Sequence, residues 1–191
     1  ALYDTLRGAT KRIYSDANSA EYTQTDGLLT FETTGVTLGT DAGHNGGGSD
    51  QIVGWFWKAG GAPTDNGKIK IDGTESNISD LVSSTGASLT PTRISANTKA
   101  GFSIIKYVGQ KSSSGSDTMP HGLNKAPEVL LMKNLNKSAS WSAYTIHVAG
   151  GAYLDTNDSW NSGREAWMVN NTDPTNSLIT VGWNSDNVNQ N

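Results

Sequence analysis

The sequence predicts an all-β protein, built as one or two antiparallel β-sandwich modules with short strands and long polar loops. Three observations carry this expectation. Residues 102–108 and 129–132 are short runs rich in β-branched, aromatic and aliphatic side chains, the types that fit a pleated, half-buried surface. The second run is too short for a helix and is bounded by Pro127 and Asn134. Between such runs lie tracts of Ser, Thr, Asn and Gly, with 22 glycines in 191 residues, which suits many turns between short strands.

Taken in order, residues 1–12 read as a short helix or a strand leading into a turn, weakened by Gly8. Residues 28–31 and 36–38 read as short strands divided by Gly35, and 41–49 (DAGHNGGGS) as a loop. Residues 51–58 (QIVGWFWK) predict a strand with Val53, Trp55 and Trp57 on one face and Ile52, Gly54 and Phe56 on the other. Both faces are apolar, so burial on both sides is expected. Residues 59–100 are rich in Gly, Ser and Thr and read as a connector. It holds one short strand at 68–72 and is pinned by Ile78, Leu81, Val82 and Ile94.

Residues 101–134 form the centre of the chain: two strands, 102–108 and 129–132, around a polar excursion that ends in the tight group Pro120-His121-Gly122. The uninterrupted apolar run at 130–132 predicts a strand covered on both faces. Further strands are expected at 141–147, 153–155 and 177–183, with turns at 155–164 and 171–176 and an apolar patch at 166–169.

Composition sets the bounds. Leu, Ile, Val and Phe make up about 18% of the chain, just under the ~20% below which disorder becomes a concern. The net charge of −4 is too small for a disordered chain, and six Trp and six Tyr supply large buried areas. The expectation is a thinly filled β protein completed by neighbours in an oligomer. The absence of cysteine removes disulfides and thiolate metal sites. No apolar run approaches the ~20 residues of a spanning helix, so no membrane insertion is expected. The first twelve residues lack a signal-peptide layout and there is no initiator Met, so the chain reads as processed or as part of something longer. A pI near 5.2 argues against duplex nucleic acid as a partner.

An internal similarity bears on organisation. Residues 36–41 (VTLGTD) resemble 179–184 (ITVGWN), residues 1–3 resemble 142–144, and 13–16 resemble 153–156, in the same order and at similar spacing. Residues 1–58 then read as the back part of one β module and 101–191 as a second that lacks a counterpart of 51–58. The chain looks cut from a tandem array.

The motifs GFSIIKYVG…HGLNKAPEVLLMKN, followed by WSAYTIH, resemble a repeat module of marine bacteriophage tail-fibre and other virion structural proteins. LYDTLRGATKRI, LLTFETTGVTLGTD and QIVGWFWKAGGAP are similar to the back half of that module, and TPTRISANTKAGF to its linker. The resemblance covers nearly the whole chain. It departs at Asn124, where the family usually has Gly, and Thr145-Ile146-His147 is not the commonest continuation. It implies a structural virion protein, a tail-fibre or appendage component contributing to host-surface attachment. Such a protein is assembled in the host cytoplasm and pairs with itself, as a homotrimer, and with other virion proteins.

No enzyme signature, cofactor motif or metal spacing stands out. His44, His121 and His147 are far apart, and His121 between Pro120 and Gly122 reads as a turn-shaping residue. Residues 155–159 (DTNDS) lack the Gly and Glu of an EF-hand loop. Neither a G-x-S-x-G elbow nor a phosphate-binding glycine loop is present. Exposed tryptophan beside short polar side chains suits a sugar, with the ring stacking on a pyranose while polar groups bond its hydroxyls. Trp160, Asp155, Asn157 and Trp183 are the candidate ligand-binding residues on that ground, whereas Trp141 and Trp167 read as core. The rival function is a non-catalytic carbohydrate-binding module that meets a host-surface glycan.

Overall fold

The computed structural model describes residues 1–157, 159–183 and 187–190. The fold is all-β, with the strands arranged in several small sheets whose pairings are mostly antiparallel.

The first sheet joins β1 (Leu2–Asp4), β2 (Gly8–Ile13) and β3 (Tyr22–Thr23). Its first turn is held by the Asp4 carboxylate, which accepts from the backbone N–H groups of Leu6 (3.0 Å) and Arg7 (2.9 Å). This is the local bonding that makes Asp a turn residue. A hairpin follows, β4 (Leu28–Phe31) with β5 (Val36–Leu38), at the bounds the sequence predicts. The expected loop after it contains one helical turn, α1 (Ala42–Asn45), capped by the Asp41 side chain on the Gly43 N–H.

The stretch expected to be a connector departs most from its composition. It carries β6 (Lys68–Ile71), β7 (Thr74–Asn77), α2 (Ile78–Thr85), the longest helix among the described residues, and β8 (Arg93–Asn97). With β9 (Phe102–Lys106) these strands form a sheet in the order β7-β6-β8-β9. The β6–β7 hairpin turns at Asp72-Gly73, both at positive φ (50° and 89°), the pairing that two-residue hairpins favour. Between the parallel strands β6 and β8 runs α2, ended by Gly86 at φ 68°. Ile69, Ile78, Ile94, Ala96 and Leu123 form a core on this sheet, with Leu81 and Val82 packed against it. Two inward isoleucines and one amphipathic helix suffice for this, and the Ser/Thr/Gly content falls on turns and the outer surface.

The polar excursion after β9 contains a strand the sequence hides, β10 (Ser116–Pro120), which pairs with β14 (Leu178–Gly182). A second sheet comprises β11 (Val129–Met132), β12 (Ser142–Thr145) and β13 (Ala152–Tyr153). These two sheets face each other across the main core, where Met119, Ile179 and Val181 meet Leu130, Met132 and Tyr144. The apolar patch at 166–169 lies on and just after a short helix, α3 (Arg164–Met168), which contributes Met168 and Val169 to that core. Ile105 on β9 packs against both cores and ties them together. The Pro120-His121-Gly122 turn is fixed from inside. The buried His121 ring donates from Nε2 to the Thr175 carbonyl (3.1 Å), and its Nδ1 accepts from the Leu123 N–H (3.2 Å). Asn124, which stands where the resembled family usually has glycine, sits at φ 58°.

Two burial expectations are corrected. In β11 only Leu130 and Met132 are buried, while Val129 and Leu131 remain exposed, so the strand is covered on one face. Residues 51–58 form no strand and join no sheet among the described residues, and their apolar side chains are exposed. The strand expected at 51–58, with burial on both sides, is therefore not formed among the described residues. The segments aligned as an internal similarity do form like pairs, β1 with β2 and β12 with β13, both antiparallel. Their third members differ in pairing, since β5 joins β4 whereas β14 joins β10; Asn184, at the end of that alignment, lies outside the described residues.

Candidate functional site

An open groove of about 2210 Å³ is lined by β9 and β11. Residues 102–105 line one side and 125–133 the other. Among the described residues β9 pairs only with β8 and β11 only with β12, so each presents an unpaired edge. Met119, Leu130, Met132 and Ile179 of the main core reach its floor. A smaller cavity of about 470 Å³ continues along residues 104–109 and contacts Trp141.

Segment 52–57 forms the rim. Val53 (75% exposed), Trp55 (76%), Phe56 (72%) and Trp57 (60%) stand out into solvent. So much bare aromatic surface is unusual, because soluble proteins rarely leave large contiguous apolar patches uncovered. The segment is anchored just beyond its end. The Ser95 hydroxyl donates to the Gly61 carbonyl at 2.7 Å, and an added Cβ at the buried Gly60 would strike the backbone of Lys70 and Ala96. Glycine here is what lets the chain pass so close to the sheet.

Tyr3, Arg12 and His44, members of a polar cluster, also line the groove. The Arg12 guanidinium donates to the carboxylate of Asp41 (3.0 Å) and to the Gln24 side chain (3.1 Å), and lies 4.3 Å from the centre of the Tyr14 ring. Asp41 also holds the His44 Nδ1 at 2.5 Å, which leaves Nε2 to face the Tyr3 hydroxyl at 3.3 Å. The Gly43 N–H, His44 and Arg12 hold the Asp41 carboxyl below its ordinary range, and burial raises Tyr3 above its own. A carboxylate, an imidazole and a phenol in line resemble a proton relay. Here their bonds close on one another, and the result is a brace that pins α1 to β1 and β2.

The four candidate ligand-binding residues fall elsewhere. Asp155 is half-buried and accepts from the Trp141 backbone N–H at 2.7 Å. Trp160 is partly exposed, with its indole N–H donated to the Ala149 carbonyl at 2.9 Å. Asn157 is exposed, and Asp158 of the same loop lies outside the described residues. Trp183 is half-buried, with its indole nitrogen buried and lacking a hydrogen-bond partner among the described residues. None of the four lines either cavity, and the bonds shown for them run to other neighbours rather than to one another. Trp141 is in the core, its indole N–H donated to the Tyr14 carbonyl at 2.5 Å, and Trp167 packs against the main core. Among the described residues no group of three or more His, Cys, Asp or Glu gathers as a metal site, and no helix is long and apolar enough to cross a membrane.

Sequence reasoning singled out 51–58 as a strand but not as a site. The signal was present: a run apolar on both faces needs two covering surfaces, and a core this thin has few to spare.

Fold and groove together define a β-rich protein with a largely apolar groove lined by the edge strands β9 and β11. The model of a domain family of unknown function, DUF7483, matches residues 1–191, and the chain belongs to that family. No curated protein and no solved structure matches it.

Proposed function

We propose that the chain is a structural component of a bacteriophage virion, part of a tail fibre or related appendage, and that it works by packing β layers against copies of itself. The observation that supports this most is the bare aromatic segment 52–57 beside an apolar groove, a surface suited to protein contact. The virion setting draws on the resemblance of GFSIIKYVG…HGLNKAPEVLLMKN to repeat modules of such fibres. A homotrimer gives a rigid rod, and repeated weak contacts of its loops with a host surface gain from avidity.

Light scattering and negative-stain microscopy of the purified chain test the reading. Concentration-dependent oligomers or rods are expected; a monomer that folds cooperatively and stays monomeric at high concentration overturns the self-assembly. The carbohydrate-binding alternative rests on Trp160, whose ring is partly open to solvent. A glycan array with Trp160→Ala as control tests it, and a signal lost in the variant would favour that function.

A further inference from the structure

We propose that the groove between β9 and β11 is a strand-acceptor site, and that its occupant is residues 51–58 of a second copy of this chain. The inference deepens the self-assembly reading above and rests on it.

The acceptor is built from two edges. A sheet face presents alternate residues to a cavity, but here consecutive residues, 102–105 and 127–133, line the same space, as backbone edges do. Unpaired edges carry rows of free N–H and C=O groups and are templates for another strand. A strand laid between them completes two ladders at once and covers the floor of core side chains that includes Met119 and Ile179. In strand addition of this kind main-chain hydrogen bonds give affinity and side-chain pockets give specificity.

Such an occupant must be extended and apolar on both faces, since one face meets the core and the other the far wall. Residues 51–58 carry that two-faced apolar pattern and belong to no helix or sheet among the described residues. Burying Ile52, Val53, Trp55, Phe56 and Trp57 would cover about 700 Å² beyond what is already covered, near the ~800 Å² per partner of a standard interface. Their own chain holds the segment at the rim, through Gly60 and Gly61 and through Trp57 on Phe102, and leaves the other side chains bare. Donor and acceptor are different surfaces, so each copy gives and receives. The contact is heterologous, closing as a ring of three or continuing as a filament.

The chain has no cysteine, so introduced thiols report proximity cleanly. Val53→Cys in a tagged copy and Leu131→Cys in an untagged one are mixed and oxidised, with circular dichroism and melting of each variant as fold controls. Mixed disulfide is expected about tenfold above same-variant dimers, as effective concentration dictates, and is lost when the donor also carries Trp55→Asp and Trp57→Asp. Oligomers without mixed disulfide overturn this site and leave the self-assembly reading standing. A monomer at every concentration overturns both. A disulfide closing within single chains of the double variant Val53→Cys/Leu131→Cys at high dilution shows the segment filling its own groove and overturns the second-copy occupant. Should the variants misfold, hydrogen exchange on the unaltered chain decides: amides at 51–58, 102–106 and 129–133 gain protection together with rising concentration, and their failure to do so counts against the proposal.

Discussion

The rings of Trp57 and Phe102 stack at 6.2 Å with an interplanar angle of 21°. This contact joins the otherwise bare aromatic segment to the first residue of β9, at the mouth of the groove.

The contact predicts a measurable but small coupling. A double-mutant cycle on Trp57→Ala and Phe102→Ala, followed by urea unfolding at low protein concentration, should give about 0.5–1.5 kcal/mol. A coupling near zero would show that the rings do not rest on each other in solution.

Residues 59–100 should behave as folded core despite their composition. Ile69 is fully buried between the β6 sheet and α2. Ile69→Ala should therefore cost roughly 2–5 kcal/mol, against near zero for a flexible connector. Urea midpoints of the two proteins check this.

His121 makes stability depend on pH. Burial lowers its folded-state pKa, the Thr175 carbonyl opposing only in part. The unfolded chain then binds the proton more readily, so this contribution is complete above about pH 6.5 and is lost as pH falls below it. His121→Gln should lower stability by about 1–3 kcal/mol at pH 8 and flatten the slope between pH 5 and 7. Unfolding curves across that window measure both.

Asp117 acts over a lower range. Burial pushes its carboxyl up, but bonds from Asn189 (3.0 Å), Lys111 (3.1 Å) and Ser88 (3.0 Å) outweigh it and leave the carboxyl below its ordinary value. The stability it adds is present above about pH 4 and lost as pH falls further. Asp117→Asn should cost about 1.5–3 kcal/mol at neutral pH and remove that acid-dependent component, as thermal melts from pH 2 to 7 would show.

Several elements were legible because they answer to local chemistry. Leu28–Phe31, Val36–Leu38 and Val129–Met132 are apolar runs between turn residues, and they form strands at those bounds. Others were hidden for equally physical reasons. Ser116–Pro120 is polar on its outer positions, so only its long-range partner Leu178–Gly182 makes it a strand. Ala166–Val169 is too short to show a helical period, and α3 takes its helical form while packing on the main core. The tryptophans chosen for sugar binding share polar sequence neighbours, but neighbours in sequence do not converge in space unless pairing brings them together.

Alone, the sequence determined the fold class, the strand character of the runs at Leu28–Phe31, Val36–Leu38, Phe102–Lys106 and Val129–Met132, and the two-faced apolar pattern of residues 51–58, because period and side-chain type act over a few residues. Only the tertiary structure decided which edges pair and which stay open. Pairing depends on contacts between residues tens of positions apart, and among the described residues those contacts leave β9 and β11 each with an unpaired edge on one groove.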